Sequence, residues 1–233
     1  VKLSNMKSSP YYKEFDTKID LWEGNIAQIT ETLEVLLAVQ GKWKYLESIF
    51  RGQADISKQL PNESALFDRS NQLFKAEMER INAERNCLRA LIVKGFLPLL
   101  TDLNHKFETI QKNLNQFLEA KRGQFPRFYF LSNEDLLEII GQSKDPKPIL
   151  VHISKMFEGV ATLKVAEVGG GRANKSYEIE ALQSAEKEYV ELPKTIPVEA
   201  KVESCLKALV AGMKDALRRI FYKYQAEHGA ASK

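Results

Sequence analysis

The chain has 233 residues, 44% hydrophobic and 28% charged, an ordinary balance for a folded globular protein that argues against disorder as the main state. Its 34 basic and 31 acidic residues are mixed along most predicted helices, so no phosphate-binding stripe for nucleic acid is expected. Its two cysteines, Cys87 and Cys205, are far apart in the sequence, which argues against a disulfide framework and favours a cytoplasmic protein. No apolar run reaches the about 20 residues that a membrane helix needs.

Apolar residues at steps of three and four predict a first long helix with one buried stripe. The stripe comprises Ile19, Trp22, Ile26, Ile29, Leu33 and Leu36, and it continues to Trp43. Pro61 then breaks the chain, and Asn62 is predicted to cap a following helix through Phe67 and Ile81. These segments predict a helix, a turn and a second helix.

A further helix is predicted from Leu100 through Phe107 to Phe117. Pro126 stops it, because proline cannot continue the backbone hydrogen-bond ladder and restricts the residue before it. Around this proline lie four aromatic residues in the run Phe125-Pro126-Arg127-Phe128-Tyr129-Phe130. Aromatic side chains bury large areas, so this run predicts a packed junction and not a loose linker.

Two shorter helices are predicted after the junction. Ser132 or Asn133 can cap a helix from Asp135 to Ile140. A proline-rich break then precedes another helix from Ile149 to Phe157. The first two-thirds of the chain is therefore predicted to be all-helical.

The pattern changes after residue 158. Alternation over residues 160–167 predicts a strand, and the segments 177–182 and 188–192 would complete a small antiparallel sheet, with a helix as the alternative for residues 177–182. Pro193 and Pro197 are predicted to bracket a turn. A last helix carries apolar residues on one face: Val202, Leu206, Leu209, Met213, Leu217, Ile220 and Tyr224.

The predicted fold is therefore mainly α. It is an elongated bundle of antiparallel helices, with a small β-hairpin or sheet insert near residues 160–192 and a long C-terminal helix. The predicted division is a helical body over residues 1–158, a β-hairpin region with a glycine-rich tip over 159–197, and a C-terminal helix over 198–233.

The segment from Gly169 to Ser176 resembles the phosphate-cradling loop GxxxxGK[ST] at every required position but one. Asn174 stands where that loop needs a glycine, so that backbone amides can wrap the phosphates. A flexible hairpin tip is the favoured interpretation. A small nucleotide-binding protein that uses Lys175 and Ser176 remains an alternative.

No catalytic, cofactor-binding or metal-binding residue is predicted. His105, His152 and His228 are too dispersed to indicate a metal site. Glu134, Asp135 and Glu138 lie within about one helical turn, and acidic residues at a helix start favour a helix dipole interaction over paired-carboxylate chemistry. The residues alone indicate a helical, non-catalytic module, and a spectrin-like helical scaffold is a further alternative.

The aromatic residues could instead form a ligand-stacking set, but their helical or junction context favours core packing. This set consists of Trp22, Trp43, Tyr45, Phe50, Phe125, Phe128, Tyr129 and Phe130.

Several ordered motifs resemble the linker region of dynein heavy chains. Gln40, Trp43, Tyr45-Leu46-Glu47 and Phe50 are similar to the family's Q-x-x-W-x-Y-L-E-x-x-F, and the run from Phe125 to Ser132 continues the similarity. The resemblance implies a structural, force-transmitting motif formed by Trp43, Tyr45, Leu46, Glu47, Phe125, Pro126, Arg127, Phe128, Tyr129, Phe130, Asp135, Leu136 and Leu137.

Two departures from the family pattern come late in the chain. Lys187 stands at the glycine of the family's Ser-x-Glu-Gly-Glu turn, and Cys205 stands at the tryptophan of its Val-Glu-x-Trp-Leu motif. They suggest a divergent lineage and not a different fold.

The resemblance implies the C-terminal half of a linker, a piece of a longer chain that precedes the first AAA+ module. Such a segment is itself non-catalytic and transmits ATP-driven changes of the AAA+ ring into microtubule-based movement. ATP and magnesium would be held by the ring of the parent motor. The implied partners are that ring, dynein intermediate and light chains, and microtubules, with no nucleic acid and no membrane. The Leu131-Ser132-Asn133 variant favours the ciliary axoneme over cytosolic dynein.

Overall fold

The computed structural model describes residues 2–169, 175–199 and 201–228, and it is mainly helical. The α-helices are α1 (Lys2–Lys7), α2 (Asp16–Gly52), α3 (Ala54–Gln59), α4 (Pro61–Ala83), α5 (Cys87–Leu91), α6 (Phe96–Gln124), α7 (Asn133–Gly141), α8 (Lys147–Met156) and α9 (Val202–His228). Short 3-10 helices span Tyr12–Glu14 and Pro126–Phe130, and the strands are β1 (Thr162–Glu167), β2 (Tyr177–Gln183) and β3 (Tyr189–Pro197). The predicted fold class, mainly α with a small sheet and a long C-terminal helix, is confirmed.

The chain forms two compact units. The first unit comprises Val1–Phe50 and Leu60–Asn113, and the second comprises Arg51–Gln59 and Leu114–Lys233. The division into residues 1–158, 159–197 and 198–233 stays a prediction.

The core of the first unit is aromatic and joins α2, α4 and α6. Phe67 of α4 is fully buried, and its ring lies 5.4 Å from Phe50 and 6.1 Å from Phe107 of α6. Leu46 of α2 is also fully buried. The predicted helical periodicity therefore places one apolar face of each long helix in a common core.

The predicted stripe of α2 is only partly buried. Ile19 is 8% exposed, but Trp22 and Ile26 are 48% and 49% exposed, and Leu33 is 39% exposed. The reason is that α1 and the first 3-10 helix cover only part of this face, so that Trp22 and Ile26 line an open cleft together with Phe15. The prediction of a continuous buried stripe is wrong at these positions.

Helix α4 begins two residues earlier than the predicted cap at Asn62 implies. Pro61 occupies the first turn, and Leu60 stands at the N-cap without a side-chain hydrogen bond. Proline suits this position because its missing N–H would have no partner inside the helix. The predicted cap at Asn62 is therefore wrong.

The three strands form one antiparallel sheet in the order β1-β2-β3. In the registers, Glu167 pairs with Tyr177 and Ile179 pairs with Ile196. The strand prediction for residues 177–182 is confirmed over the helical alternative. The predicted turn between Pro193 and Pro197 is wrong, because β3 runs to Pro197 along the sheet edge. A register shift opposite Ile179 and Ala181 leaves Pro193 outside the paired positions, where proline loses no ladder hydrogen bond.

The turn between β2 and β3 holds Lys187 in the left-handed region, at φ 68°. Its N–H donates to the Ser184 carbonyl at 3.2 Å, and the Ser184 N–H donates to the Glu188 carbonyl at 3.0 Å. Glycine adopts this conformation without steric cost. The geometry therefore gives a physical reason for the glycine in the resembled motif, and the turn forms with lysine in its place.

Helix α9 packs on β3 through its first half. Leu206 and Leu209 are fully buried, and Gly212 lies so close that an added Cβ would be 3.2 Å from Leu192. Cys205 is 4% exposed, and burial raises the pKa of its thiol to about 11. The position where the resembled motif has tryptophan thus holds a small neutral side chain in the core.

Candidate functional site

The aromatic junction, defined as Phe125–Leu131, begins where α6 ends. Helix α6 stops at Gln124, as Pro126 predicts, and residues Pro126–Phe130 form a 3-10 helix. Phe125 takes an extended backbone conformation, which is the conformation that a following proline favours. The N–H groups of Phe128 and Leu131 donate to the carbonyls of Phe125 and Phe128, at 3.0 Å and 3.1 Å.

One side of the aromatic junction is buried. Phe125, Phe128 and Leu131 are 4%, 0% and 4% exposed, and the rings of Phe125 and Phe128 meet edge to face at 5.0 Å. These residues are three positions apart, which is the period of a 3-10 helix, so their side chains lie on one face. Phe125 also lies 6.5 Å from Phe157, which follows α8. The junction thereby packs α6 against the end of α8.

The other side of the aromatic junction faces solvent. Tyr129 is 62% exposed and Phe130 is 70% exposed, so the prediction that all the aromatic residues of this run pack in the core is wrong. A turn with a period of three residues can bury only one of its three faces. Tyr129 and Phe130 occupy the other two.

Two arginines tie the aromatic junction to neighbouring elements. Arg127 donates from Nη1 to the Met156 carbonyl at 2.7 Å, and its guanidinium lies 4.5 Å from the centre of the Phe157 ring. Arg122 is 9% exposed and donates from Nη2 to Asn133 Oδ1 at 2.7 Å. Hydrogen bonds from a charged donor are stronger than neutral ones and are directional. The arginines therefore connect the end of α6 to the start of α7, and the 3-10 helix to the end of α8.

The start of α7 is held by a capping box. The Asp135 N–H donates to Ser132 Oγ at 3.1 Å, and the Ser132 N–H donates to Asp135 Oδ2 at 3.4 Å, which confirms the predicted cap at Ser132. The side chains of Leu136 and Leu137 are 0% and 2% exposed. Asp135 thus has a local structural role in this first turn, as part of the capping box.

An ion pair and the contacts of a buried histidine connect α7 to α8. Lys155 Nζ lies 2.7 Å from Asp135 Oδ2 and holds the pKa of this carboxyl below its ordinary value. His152 is 5% exposed, with Nε2 3.1 Å from Glu138 Oε2 and Nδ1 3.6 Å from Asp135 Oδ1. His152 is therefore a core residue that lies between two carboxylates.

The remaining predicted motif residues lie in the first unit. Trp43 Nε1 donates to Asn71 Oδ1 at 2.8 Å, and its ring lies 5.2 Å from Phe74. Lys75 forms an ion pair with Glu47 at 3.1 Å and lies 5.7 Å from the Trp43 ring centre.

Leu46 is fully buried, and Tyr45 is half-buried. The structure thus groups the predicted set into two separate clusters. One cluster lies on α2 and the other around the aromatic junction.

The sequence analysis did not single out the contacts of Arg122 and Arg127. Arg122 contacts Asn133, 11 positions away, and Arg127 contacts Met156, 29 positions away. Such long-range partners leave no periodic signal.

The nucleotide-binding alternative is contradicted by the topology. The segment that contains Gly169 and Ser176 connects two antiparallel strands, whereas the phosphate loop must lead from a strand into a helix. Residues 170–174, including Asn174, lie outside the described residues. Lys175 forms an ion pair with Glu167 at 3.0 Å.

Within the described ranges, no group of three or more His, Cys, Asp or Glu side chains could hold a metal ion. None of the helices described in those ranges is both long and apolar enough to cross a membrane.

The family described as "Dynein heavy chain, N-terminal region 2" matches residues 1–224. The chain belongs to the dynein heavy chain family. Dynein axonemal heavy chain 2 of Mus musculus is 44% identical to it over 218 residues, which is 94% of this chain. The Dynein-1-beta heavy chain, flagellar inner arm I1 complex, of Chlamydomonas reinhardtii is 41% identical over 233 residues. Cytoplasmic dynein 2 heavy chain 1 of Homo sapiens is 37% identical over 218 residues.

These dynein relatives are far longer than this chain, which spans 5% of the length of each. The resemblance to dynein heavy chains is confirmed. Axonemal and cytoplasmic dyneins both match, so the preference for the ciliary axoneme stays a prediction.

Proposed function

We propose that this chain is a mechanical linker segment of a dynein heavy chain, itself non-catalytic. It transmits ATP-driven changes of the AAA+ ring into movement along microtubules. The observation that supports this role is the fixed join in the second unit. There, a directional contact of Arg122 holds the end of α6 to the start of α7, and one of Arg127 holds the aromatic junction to the end of α8.

A segment that carries force must resist rotation of one helix against the next. Apolar packing alone is non-directional, and it tolerates sliding better than a hydrogen bond does. In this join, Arg127 adds a 2.7 Å hydrogen bond to the stacking on Phe157, and Lys155 adds an ion pair between α7 and α8. The combination of a buried aromatic cluster and directional polar contacts supports a stiff element.

The remaining roles are part of the same proposal and rest on the resemblance to dynein heavy chains. ATP and magnesium are bound by the AAA+ ring of the parent heavy chain, and this ring is the intramolecular partner of the segment. Intermediate and light chains and microtubules are partners of the whole motor. The place of action is cytoskeletal, and the ciliary axoneme is favoured.

The test is the variant Arg127→Gln in an intact dynein heavy chain. It removes the contacts of the guanidinium with Met156 and Phe157 but leaves the buried aromatic rings in place. Arg85→Gln is the matched control, because Arg85 is an exposed arginine of the other unit. Microtubule gliding velocity and ATP turnover are measured on the same preparations.

We expect Arg127→Gln to lower gliding velocity several-fold more than ATP turnover, while Arg85→Gln changes neither. Preserved ATP turnover also shows that the variant motor is folded. Equal losses of velocity and turnover would argue against a transmission role. No change in either quantity would favour the spectrin-like scaffold.

A further inference from the structure

A basic pocket lies in the second unit, at the start of α9. It is an open concave site of about 580 Å³, within the size range of small-molecule sites. Its charged lining residues are Lys58, Lys121, Lys201, Lys207, Asp55 and Glu203. Four lysines therefore face two carboxylates, in a chain whose charge is otherwise nearly balanced.

Both carboxylates of the basic pocket are already engaged. Lys121 Nζ lies 2.5 Å from Glu203 Oε1, and Lys58 Nζ lies 2.9 Å from Asp55 Oδ1. Asp55 also accepts a hydrogen bond from Ser143 Oγ at 3.1 Å. The acidic groups of the lining thus neutralise two of the lysines.

The other two lysines of the basic pocket remain for an external anion. Lys201 and Lys207 are exposed, and neither forms an ion pair with any of the residues that the structure describes. Exposed lysines on one rim of a concave site, with their counter-charges absent, favour an anionic ligand.

Lys201 stands directly before α9. Its carbonyl accepts the N–H groups of Ser204 and Cys205, at 3.0 Å and 3.3 Å. The positive partial charge of this helix N-terminus is complemented by Glu203 in the first turn of α9. The positive charge that remains in the pocket is therefore that of the lysine side chains.

The polar lining indicates the kind of anion. Gln59, Gln124 and Ser204 supply hydrogen-bond donors, and no aromatic side chain is among the described lining residues on which a nucleobase could stack. Ammonium groups bind phosphates as point charges. We propose that the basic pocket binds a small polyphosphate anion, through its phosphate groups and not through a nucleoside. This site is independent of the transmission role.

The experiment is calorimetric titration of the 233-residue chain with tripolyphosphate at constant ionic strength. The test variant is Lys201→Gln/Lys207→Gln. The control is Lys214→Gln/Lys223→Gln, which removes the same charge from exposed positions of α9 outside the pocket. Circular dichroism checks that each variant keeps its helical content.

We expect saturable binding of one tripolyphosphate per chain. The test variant should weaken it by about tenfold or more, since two charge-assisted contacts are lost. The control variant should change it by less than about twofold. Equal weakening in both variants, or binding that never saturates, would overturn the proposal.

Parallel titrations with ATP and with a polyglutamate peptide separate other ligands. ATP that binds much more tightly than tripolyphosphate would overturn the exclusion of a nucleoside. Polyglutamate that binds while tripolyphosphate does not would replace the proposal with an acidic protein segment. A change in gliding velocity for Arg127→Gln bears only on the transmission role.

Discussion

Replacing Phe128 with alanine tests whether the aromatic junction depends on its buried face. Phe128 is 0% exposed, and its ring meets Phe125 edge to face at 5.0 Å. Removing a fully buried phenyl ring costs the transfer free energy of the ring and leaves a cavity, together about 3–5 kcal/mol. For a chain of this size, 1 kcal/mol corresponds to about 2–4 °C, so the melting temperature should fall by about 6–20 °C.

Phe130→Ala is the matched control, because it removes the same ring from the same 3-10 helix. Phe130 is 70% exposed, so its loss should change the free energy of unfolding by less than about 0.5 kcal/mol. Urea unfolding followed by circular dichroism measures both variants, with the slope checked for constancy. Similar losses for the two variants, or a loss below about 1 kcal/mol for Phe128→Ala, would refute the assignment of one buried face.

Two further predictions concern backbone positions and are measured by urea unfolding. Lys187→Gly should stabilise the protein by about 1 kcal/mol, because glycine relieves the strain of the left-handed conformation. Lys194→Gly within β3 is the control and should destabilise the protein by about 0.5–1 kcal/mol. A lower free energy of unfolding for Lys187→Gly would contradict the strain argument. Gly141→Ala should destabilise the protein by about 1–3 kcal/mol, because the new Cβ would lie 2.7 Å from the Cβ of Gln53. Gly41→Ala is the control and should stabilise the protein by about 0.8–1 kcal/mol, because nothing lies within 4 Å of its new Cβ. Stabilisation by both variants would show that the surroundings of Gly141 relax freely.

Local signals in the sequence were sufficient for several features of the site. Pro126 ended α6, and Ser132 with Asp135 formed the capping box at the start of α7. Each of these depends on residues within a few positions of one another, so the sequence contains the whole interaction. The resemblance then grouped distant motifs that spacing alone could not relate.

The exposure of several side chains could not be predicted from periodicity, because it depends on the local helix type and on which elements cover a face. Tyr129 and Phe130 were expected in the core, but the 3-10 helix around them repeats every three residues and not every 3.6. Trp22 and Ile26 follow the α-helical period, yet their face of α2 is covered only in part. Pro193 was expected in a turn, and only the register shift of the sheet explains how it fits in β3.

The 3-10 geometry of the aromatic junction also limits how this segment can change its length. Phe125, Phe128 and Leu131 share a face only because three residues complete each turn. Inserting or deleting one residue between them would rotate the following residues by about 120° around the helix axis. Leu131 would then leave the core, and a neighbouring residue would take its buried position. We therefore expect the fold to tolerate substitutions at the exposed Tyr129 and Phe130, and to be disrupted by the insertion or deletion of a single residue here.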